Sequence, residues 1–193
     1  EVDEDLMSLY LEDGEISAEQ LHDPFEKALR EGHLIPVCFT SASAGVGISE
    51  LLDIIGKLLP NPSEGNPPRF INGHGEDGQP IQMSASADGH ALAHVFDVDF
   101  DPFVGRQAML RVHQGTIQKD GQLFVGDARK PIKISNLSSP LGKDMRERSR
   151  AVPGDIMMLS KVEGVGYDSV LHDSHDQDQI HLKALPLPTP MVY

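Results

Sequence analysis

The chain has 193 residues, 39% of them hydrophobic, which is enough to bury the core of one ordinary domain or of one and a half small ones. With 16 Lys and Arg against 30 Asp and Glu, its formal net charge of −14 argues against a surface that binds nucleic acid over its whole extent. Its apolar runs fall short of the roughly 18 residues of a transmembrane helix, and its acidic start is unlike a signal peptide, so we expect a cytoplasmic protein.

The chain opens on Glu1, inside a helical pattern that has no preceding cap, and this suggests an excerpt of a longer protein. Apolar residues at helical spacing predict a first helix over residues 2–11. Ser17 and Gln20 form a capping-box pattern for a second helix. Asp23 and Pro24 then suit an N-cap and a first helical position, so we expect the helix to restart there.

Residues 34–39 form a short apolar run, which predicts a buried parallel strand with Cys38 in its core. The single cysteine excludes an internal disulfide. A loop over residues 40–47 precedes an apolar helix that Pro60 closes. Strand, loop and helix make half of an α/β unit, in which such loops bind ligands.

A stretch rich in Pro, Gly, Ser and Asn at residues 61–68 predicts a domain boundary. After it, short strands alternate with turns, and no segment shows a convincing helical pattern; the best remaining candidate for a helix is residues 143–148. Phe96, Val98 and Phe100 alternate with aspartates, which is typical of a half-buried strand. The same alternation recurs at Leu110 and Val112, Leu123 and Val125, Ile132 and Ile134, Ile156 and Met158, and Ile180 and Leu182. These strands predict a small barrel or sandwich.

Several motifs in the first third resemble the end of the nucleotide-binding domain of elongation factor G-like translational GTPases. Phe39-Thr40-Ser41-Ala42-Ser43, followed by Gly47-Ile48 and Leu51-Leu52-Asp53, is similar to the last guanine-nucleotide motif of that family and the helix after it. Residues 3–7, 10–12 and 28–32 resemble the helices that precede this motif.

The second part carries the more specific resemblance. Asp101-Pro102-Phe103-Val104-Gly105-Arg106, with Arg111-Val112 and Gly115-Thr116-Ile117, resembles the first hairpin of the second domain of that family, and Pro153-Gly154-Asp155-Ile156 resembles a later turn. The resemblance implies an α/β fragment, the end of a P-loop GTPase domain, followed by an all-β translation-factor barrel. We therefore predict the GTPase part at 1–62, a linker at 63–83, the barrel at 84–185 and a second linker at 186–193.

Departures from the family pattern favour a divergent paralogue over the main translocase. His113-Gln114-Gly115 stands where the family has an aromatic-Ser-Gly turn, and residues 136–140 replace its Met-His-Ala loop. The sequence Tyr167-Asp168-Ser169-Val170-Leu171 replaces a Thr-Gly-Asp-Thr-Leu stretch. Residues 22–24 look like an insertion that breaks a helix.

By resemblance, Ser41, Ala42 and Ser43 lie beside the guanine base of GTP or GDP, where the backbone N–H of Ala42 donates to the base. From pattern alone, a plain βα loop is the favoured interpretation of residues 40–45, and the resemblance reverses this preference. The sequence has no phosphate loop, no magnesium-binding Asp motif and no Asn-Lys-x-Asp. We therefore expect nucleotide and magnesium to bind the full-length parent, and no GTP hydrolysis by this chain alone.

The resemblance also implies that the barrel packs on the nucleotide domain and faces the RNA of the small ribosomal subunit. Six cations are candidate phosphate contacts, although an ordinary solvated face is an equal alternative. They are Arg106, Lys130, Lys143, Arg146, Arg148 and Arg150.

Other apparent sites carry less weight. Asp97, Asp99 and Asp101 mimic a calcium loop, but the positions that need Gly and Glu hold Pro102 and Ala108. A cluster of histidines and aspartates could trap a metal, but a solvated loop fits it better. Its histidines are His172, His175 and His181.

The sequence leaves other functions to be weighed. A stand-alone barrel that binds RNA or protein would have its start codon close to Glu1. An independent enzyme would need a convergent set of acid, base or metal ligands, and the sequence pattern offers none. Within the family, a ribosomal protection factor or a peptide-release GTPase fits the barrel as well.

Overall fold

The structure is a computed structural model that describes residues 4–62, 64–65, 67–73, 78–174 and 180–183. The chain divides into two compact units, Glu1–Asn66 and Pro67–Tyr193, called unit 1 and unit 2 below. The helices of unit 1 are α1 Glu4–Asp13, α2 Ala18–Arg30 and α3 Ile48–Leu58.

Unit 2 is built from thirteen strands within its described residues. They are β1 Phe70–Asn72, β2 Gln79–Pro80, β3 Leu92–Asp101, β4 Gly105–Gln114, β5 Ile117–Gln118, β6 Gln122–Val125, β7 Ile132–Lys133, β8 Leu137–Leu141, β9 Asp144–Glu147, β10 Arg150–Ala151, β11 Ile156–Ser160, β12 Val170–His172 and β13 Ile180–Leu182.

In unit 1, the predicted capping box is confirmed, but the restart of the helix at Pro24 is wrong. The amide of Gln20 donates to Ser17 Oγ at 3.2 Å, and the amide of Ser17 donates to Gln20 Oε1 at 2.9 Å. The helix then runs unbroken through Pro24. Proline removes one backbone hydrogen bond, and the cap together with the apolar spacing of Leu21 and Phe25 sustains the helix across that gap.

The predicted buried strand over residues 34–39 is also wrong. This segment pairs with no strand in the described part of the chain, and Ile35, Val37 and Phe39 are 80%, 74% and 91% exposed. Cys38 is exposed rather than buried. An apolar run becomes a parallel strand only between neighbouring strands, and the described residues of unit 1 provide none.

Eight strands of unit 2 form one curled antiparallel sheet in the order β7-β6-β12-β3-β4-β11-β8-β9. The pairing of β5 with β10 closes the gap between its edges, together with hydrogen bonds from Lys119 N to Ser149 O and from Asp120 N to Ile134 O, at 2.9 and 2.7 Å. The second part of the chain is therefore a β-barrel, as predicted.

Alternating side chains of the curled sheet fill the barrel interior. Val95, Leu110, Val112, Leu159 and Leu171 are completely buried there. The phase predicted for β11 is wrong, because Met157 and Leu159 point inward while Ile156 is 40% exposed. A single alternating pair does not fix which of its two phases faces the core.

Residues 144–147 form strand β9 rather than a helix, because they pair antiparallel with β8 across the turn at Gly142 and Lys143. The range 63–83 that was assigned to a linker contains β1 and β2. Phe70 is 1% exposed there, and a three-residue strand is too short to show periodicity in sequence.

A small sheet in the order β13-β1-β2 covers part of the outer face of the barrel. Phe70 of β1, Leu92 of β3 and Val170 of β12 are buried together between the small sheet and the barrel. Ile180 and Leu182 of β13 pack against these three residues. The small sheet is thereby fixed to the barrel by a second, smaller core.

Candidate functional site

The loop before α3 holds the three residues that were predicted to meet a guanine base. Ser41 and Val46 form an isolated antiparallel bridge, with amide-to-carbonyl distances of 2.9 and 3.2 Å. Ala42 and Ser43 lie at the exposed tip of this loop. Small side chains at an exposed tip leave the backbone accessible to a flat ligand.

Gly47 connects this loop to α3 and is required by the geometry. Its φ of 72° lies in the left-handed region, and a Cβ there would come within 2.7 Å of the carbonyl oxygen of Phe39. The sequence motif therefore has a local structural cause, since only glycine lets the helix start so close to residues 39–40.

The loop fits one part of a guanine nucleotide site and not the rest. Its exposed tip suits the edge of a base, but the sequence carries no segment that would hold phosphates. Among the described residues, no group of three or more His, Cys, Asp or Glu is arranged to hold a metal ion.

Four of the six predicted phosphate contacts lie together on the edge strand β9 and its flanks. Lys143 is in the turn before β9, Arg146 is on it, and Arg148 and Arg150 follow it. All four are exposed. We call residues 143–150 the β9 edge.

Two acidic residues interrupt the β9 edge, and one of them, Glu147, already forms an ion pair with a lysine outside the edge. Lys119 Nζ forms a hydrogen-bonded ion pair with Glu147, and this hydrogen bond and the charge of Glu147 raise the pKa of Lys119. The β9 edge has four cations against Asp144 and Glu147, so its own net charge is 4 − 2 = +2 in a chain of net charge −14. It is a local positive stripe.

The other two predicted contacts lie elsewhere in the barrel. Arg106 is at the start of β4, opposite Phe100, and β4 is separated from β9 by β11 and β8. At about 4.8 Å between neighbouring strands, three spacings separate β4 from β9 by roughly 14 Å. Lys130 is in the connection from β6 to β7, near the other edge of the sheet. The six residues therefore form no single cluster.

A cleft of about 820 Å³, absent from the sequence predictions, lies between the small sheet and the outer face of the barrel. Two imidazoles line it, and each lies beside a carboxylate: His94 Nε2 lies 3.2 Å from Asp168 Oδ1, and His181 Nε2 lies 3.2 Å from Asp127 Oδ1. The partners are 74 and 54 residues apart in sequence, so no local motif could reveal them.

The histidines of the cluster predicted to be a solvated loop lie in different environments in the structure. His172 is completely buried, with Nδ1 2.7 Å from Ser174 O and Nε2 2.8 Å from Gly126 O. The solvated-loop prediction is therefore wrong for this ring. His181 belongs to β13 and the cleft, and His175 lies outside the described residues.

Comparison with known proteins identifies the barrel. The family model for elongation factor G domain 2 matches residues 90–168. An elongation factor G-like protein of Mycobacterium tuberculosis is 30% identical over 98% of this chain and 28% of its own length. Elongation factor G of Chlamydia trachomatis serovar D is 29% identical over 92% of this chain and 25% of its own length.

A crystal structure of a Thermus thermophilus protein matches 98% of this chain and 26% of its own, with a TM-score of 0.69 and 30% identity. The chain thus spans about a quarter of the length of the relatives it matches. In the described residues, no helix is long and apolar enough to cross a membrane. The predicted resemblance to elongation factor G-like proteins is confirmed: residues 90–168 match elongation factor G domain 2, and relatives from this group match almost the whole chain.

Proposed function

We propose that this chain is an internal part of a cytoplasmic, GTP-binding translation factor that acts on the ribosome. The observation that carries the proposal is the near-complete coverage of the chain by elongation factor G and an elongation factor G-like protein, on both sides of the barrel boundary. Residues 1–62 would then be the end of the nucleotide-binding domain and residues 84–185 the docking barrel, with a linker at 186–193. Strands β1 and β2, in the range 63–83, would belong with the barrel rather than to a linker.

The first unit supplies the rim of the nucleotide site in this proposal. Ser41, Ala42 and Ser43 would lie beside the guanine base, and GTP with magnesium would be held mainly by other parts of the parent. The exposed apolar side chains of unit 1 support this assignment, because contiguous apolar surface is normally covered by a partner. Ile35, Val37 and Phe39 would be covered by neighbouring strands of the same parent domain.

The barrel docks on the RNA of the small ribosomal subunit in this proposal. The β9 edge supports it, since its cations are exposed on an edge strand and Lys119 occupies the carboxylate of Glu147. Phosphate contacts position a protein on RNA without reading sequence, and the overall negative charge would keep binding to unrelated RNA weak. The main contacts would be Arg146, Arg148 and Arg150, with Lys143, Arg106 and Lys130 at the periphery.

The parent is a specialised paralogue rather than the main translocase in our proposal. His113 stands in place of an aromatic residue of the family turn, and its ring packs between the barrel and β1 rather than facing solvent. The replacement thus changes the barrel at the seam with the small sheet. Ribosomal protection and peptide release remain the alternative roles for such a paralogue.

The test begins with the native gene product, detected by immunoblot with an antibody raised against this chain. A band several times larger than 21.1 kDa, with an upstream phosphate loop in its peptides, is expected. That product should then hydrolyse GTP faster when ribosomes are added. A band near 21.1 kDa would contradict the proposal and favour a stand-alone barrel that binds RNA or protein.

A further inference from the structure

The cleft in unit 2 is lined by the small sheet on one side and by the barrel on the other. The small sheet contributes Arg69, His181, Leu182 and Lys183, and the barrel contributes residues of β3, β6 and β12 and of the turns beside them. The two sides are joined by the buried core around Phe70. A cleft of about 820 Å³ lies within the roughly 300–1,000 Å³ range of small-molecule sites.

Two cations stand directly opposite each other at the mouth of this cleft. The register of β1 with β13 pairs Phe70 with Leu182, which places Arg69 opposite Lys183, and the amide of Lys183 donates to Arg69 O at 2.8 Å. Like charges at opposite positions repel. Within the described part of the chain, neither side chain has a carboxylate within 4.0 Å. An anion would relieve this repulsion.

The shape of an arginine side chain favours a phosphate among possible anions. The planar guanidinium of Arg69 donates two parallel hydrogen bonds to a phosphate, and Lys183 would add a point charge beside it. A ligand of phosphate size alone would leave most of the cleft unfilled. The ligand therefore has a larger organic part.

The remaining lining residues define that organic part. Pro67, Pro68 and Leu182, together with Val125 and Val170 of the barrel, give an apolar lining suited to a flat ring. Asp168 Oδ1 lies 3.2 Å from His94 Nε2, and the second carboxylate oxygen of Asp168 can accept from a hydroxyl or amino group. Sugar hydroxyls and the amino group of a base are donors of this kind.

We propose that the cleft binds a nucleoside monophosphate, with its phosphate on Arg69 and Lys183 and its sugar and base between the apolar lining and the two His–Asp pairs. This site is separate from the loop at residues 41–46, and it does not depend on the proposed ribosomal function. Arg69 directly precedes β1 and Lys183 directly follows β13, whereas the β9 edge is at one end of the curled sheet.

The test is an NMR titration of the 193-residue chain with adenosine 5′-monophosphate, with adenosine as the comparison. We expect saturable shifts of the amides of Gly126, Ser169 and Lys183, and about tenfold weaker binding of adenosine because the charge-assisted contacts are lost. The double variant Arg69→Ala/Lys183→Ala should lose affinity for the nucleotide by a similar factor. Both side chains are exposed, so this variant should keep its fold.

The matched control removes two cations outside the cleft, Lys57→Ala and Lys133→Ala, and should bind the nucleotide like the wild type. If the double alanine variant fails to fold, Arg69→Gln/Lys183→Gln retains the side-chain stems and replaces it. No saturable shift at millimolar nucleotide, or equal binding by wild type and cleft variant, would overturn the proposal. Tighter binding of an RNA hexamer than of the nucleotide would also overturn it and identify RNA as the source of the phosphate.

Discussion

Acidification should destabilise unit 2 through His113, whose ring is packed at the seam between the barrel and the small sheet. The ring of Phe70 meets it edge-on at 5.2 Å, and the ring of His94 stacks on it at 6.3 Å. Burial, with smaller contributions from His94 and Arg111, lowers the pKa of His113 from its usual 6.5 to about 4. The nearby carboxylate of Asp168 is engaged by His94.

The direction of the effect follows from proton uptake by the unfolded chain. Above pH 6.5 the ring is neutral in both the folded and the unfolded state, so its contribution to stability is complete. Between pH 6.5 and 4 the unfolded chain binds a proton that the folded chain resists, and stability falls. A lowering of this size corresponds to about 3 kcal/mol at full effect, and to about 1–2 kcal/mol once solvent screening of a partly exposed ring is included.

The assay compares the free energy of unfolding of unit 2 at about pH 7 and about pH 4.5 in the wild type and in His113→Phe. Urea unfolding followed by the amide signals of β4 reports on unit 2 alone. The wild type should lose about 1–2 kcal/mol more than the variant, since phenylalanine keeps a ring at the seam and cannot take up a proton. An NMR titration of His113 should also show a midpoint near 4. Equal losses in the two proteins, or a midpoint near 6.5, would refute the reasoning.

Three further substitutions test the local structure. Ser17→Ala removes the side-chain acceptor of the capping box and should lower the stability of unit 1 by about 1 kcal/mol, measured by thermal unfolding. No change in stability would mean that the cap is not formed in solution. Leu110→Ala leaves a cavity at a completely buried position and should lower the free energy of unfolding, measured in urea, by about 2–5 kcal/mol. Ile156→Ala on the neighbouring strand should lower it much less, because Ile156 is 40% exposed. Equal losses for the two variants would contradict the outward orientation of Ile156. Gly47→Ala forces a Cβ to within 2.7 Å of the carbonyl oxygen of Phe39, at a backbone position with positive φ. Amide hydrogen exchange at the start of α3 should therefore become faster by at least about tenfold. Unchanged exchange would show that the close approach does not exist.

The sequence predicted the barrel well because its signals are local and repeated. The alternation of Leu110 and Val112 indicates one face of a long strand. The motif at residues 101–106 forms the tip of a hairpin, which the side chain of Asp101 stabilises. Asp101 Oδ1 accepts hydrogen bonds from the amides of Phe103 and Val104 at 2.7 and 2.8 Å. Such short-range chemistry can be predicted from sequence alone.

The errors arose where the outcome depends on distant partners. An apolar run such as residues 34–39 indicates a strand, but its burial depends on strands that the described residues of unit 1 do not supply. The segment at residues 143–148 was ambiguous until its pairing with β8 was known. Short β1 had no periodicity to detect, and its place follows from the burial of Phe70 against the barrel.

The candidate sites also differ in how far they could be predicted from the sequence. The loop at residues 41–46 and the arginines of the β9 edge each lie within one short segment of the chain and could therefore be proposed from the sequence. The cleft could not, because Arg69, His94, Asp127, Asp168 and Lys183 come from five separate segments that only the fold brings together. No spacing rule connects them.

We propose that this barrel docks a ribosome-bound GTPase on small-subunit RNA. The most direct test of this claim is co-sedimentation of the full-length parent with small ribosomal subunits across a salt series. The account predicts that Arg146→Ala/Arg148→Ala weakens binding and lowers the slope of log affinity against log salt by about two, one for each lost phosphate contact. The charge-matched control Arg69→Ala/Lys183→Ala should sediment like the wild type. Unchanged affinity and slope for the β9-edge variant, or no co-sedimentation of the wild type, would contradict the account.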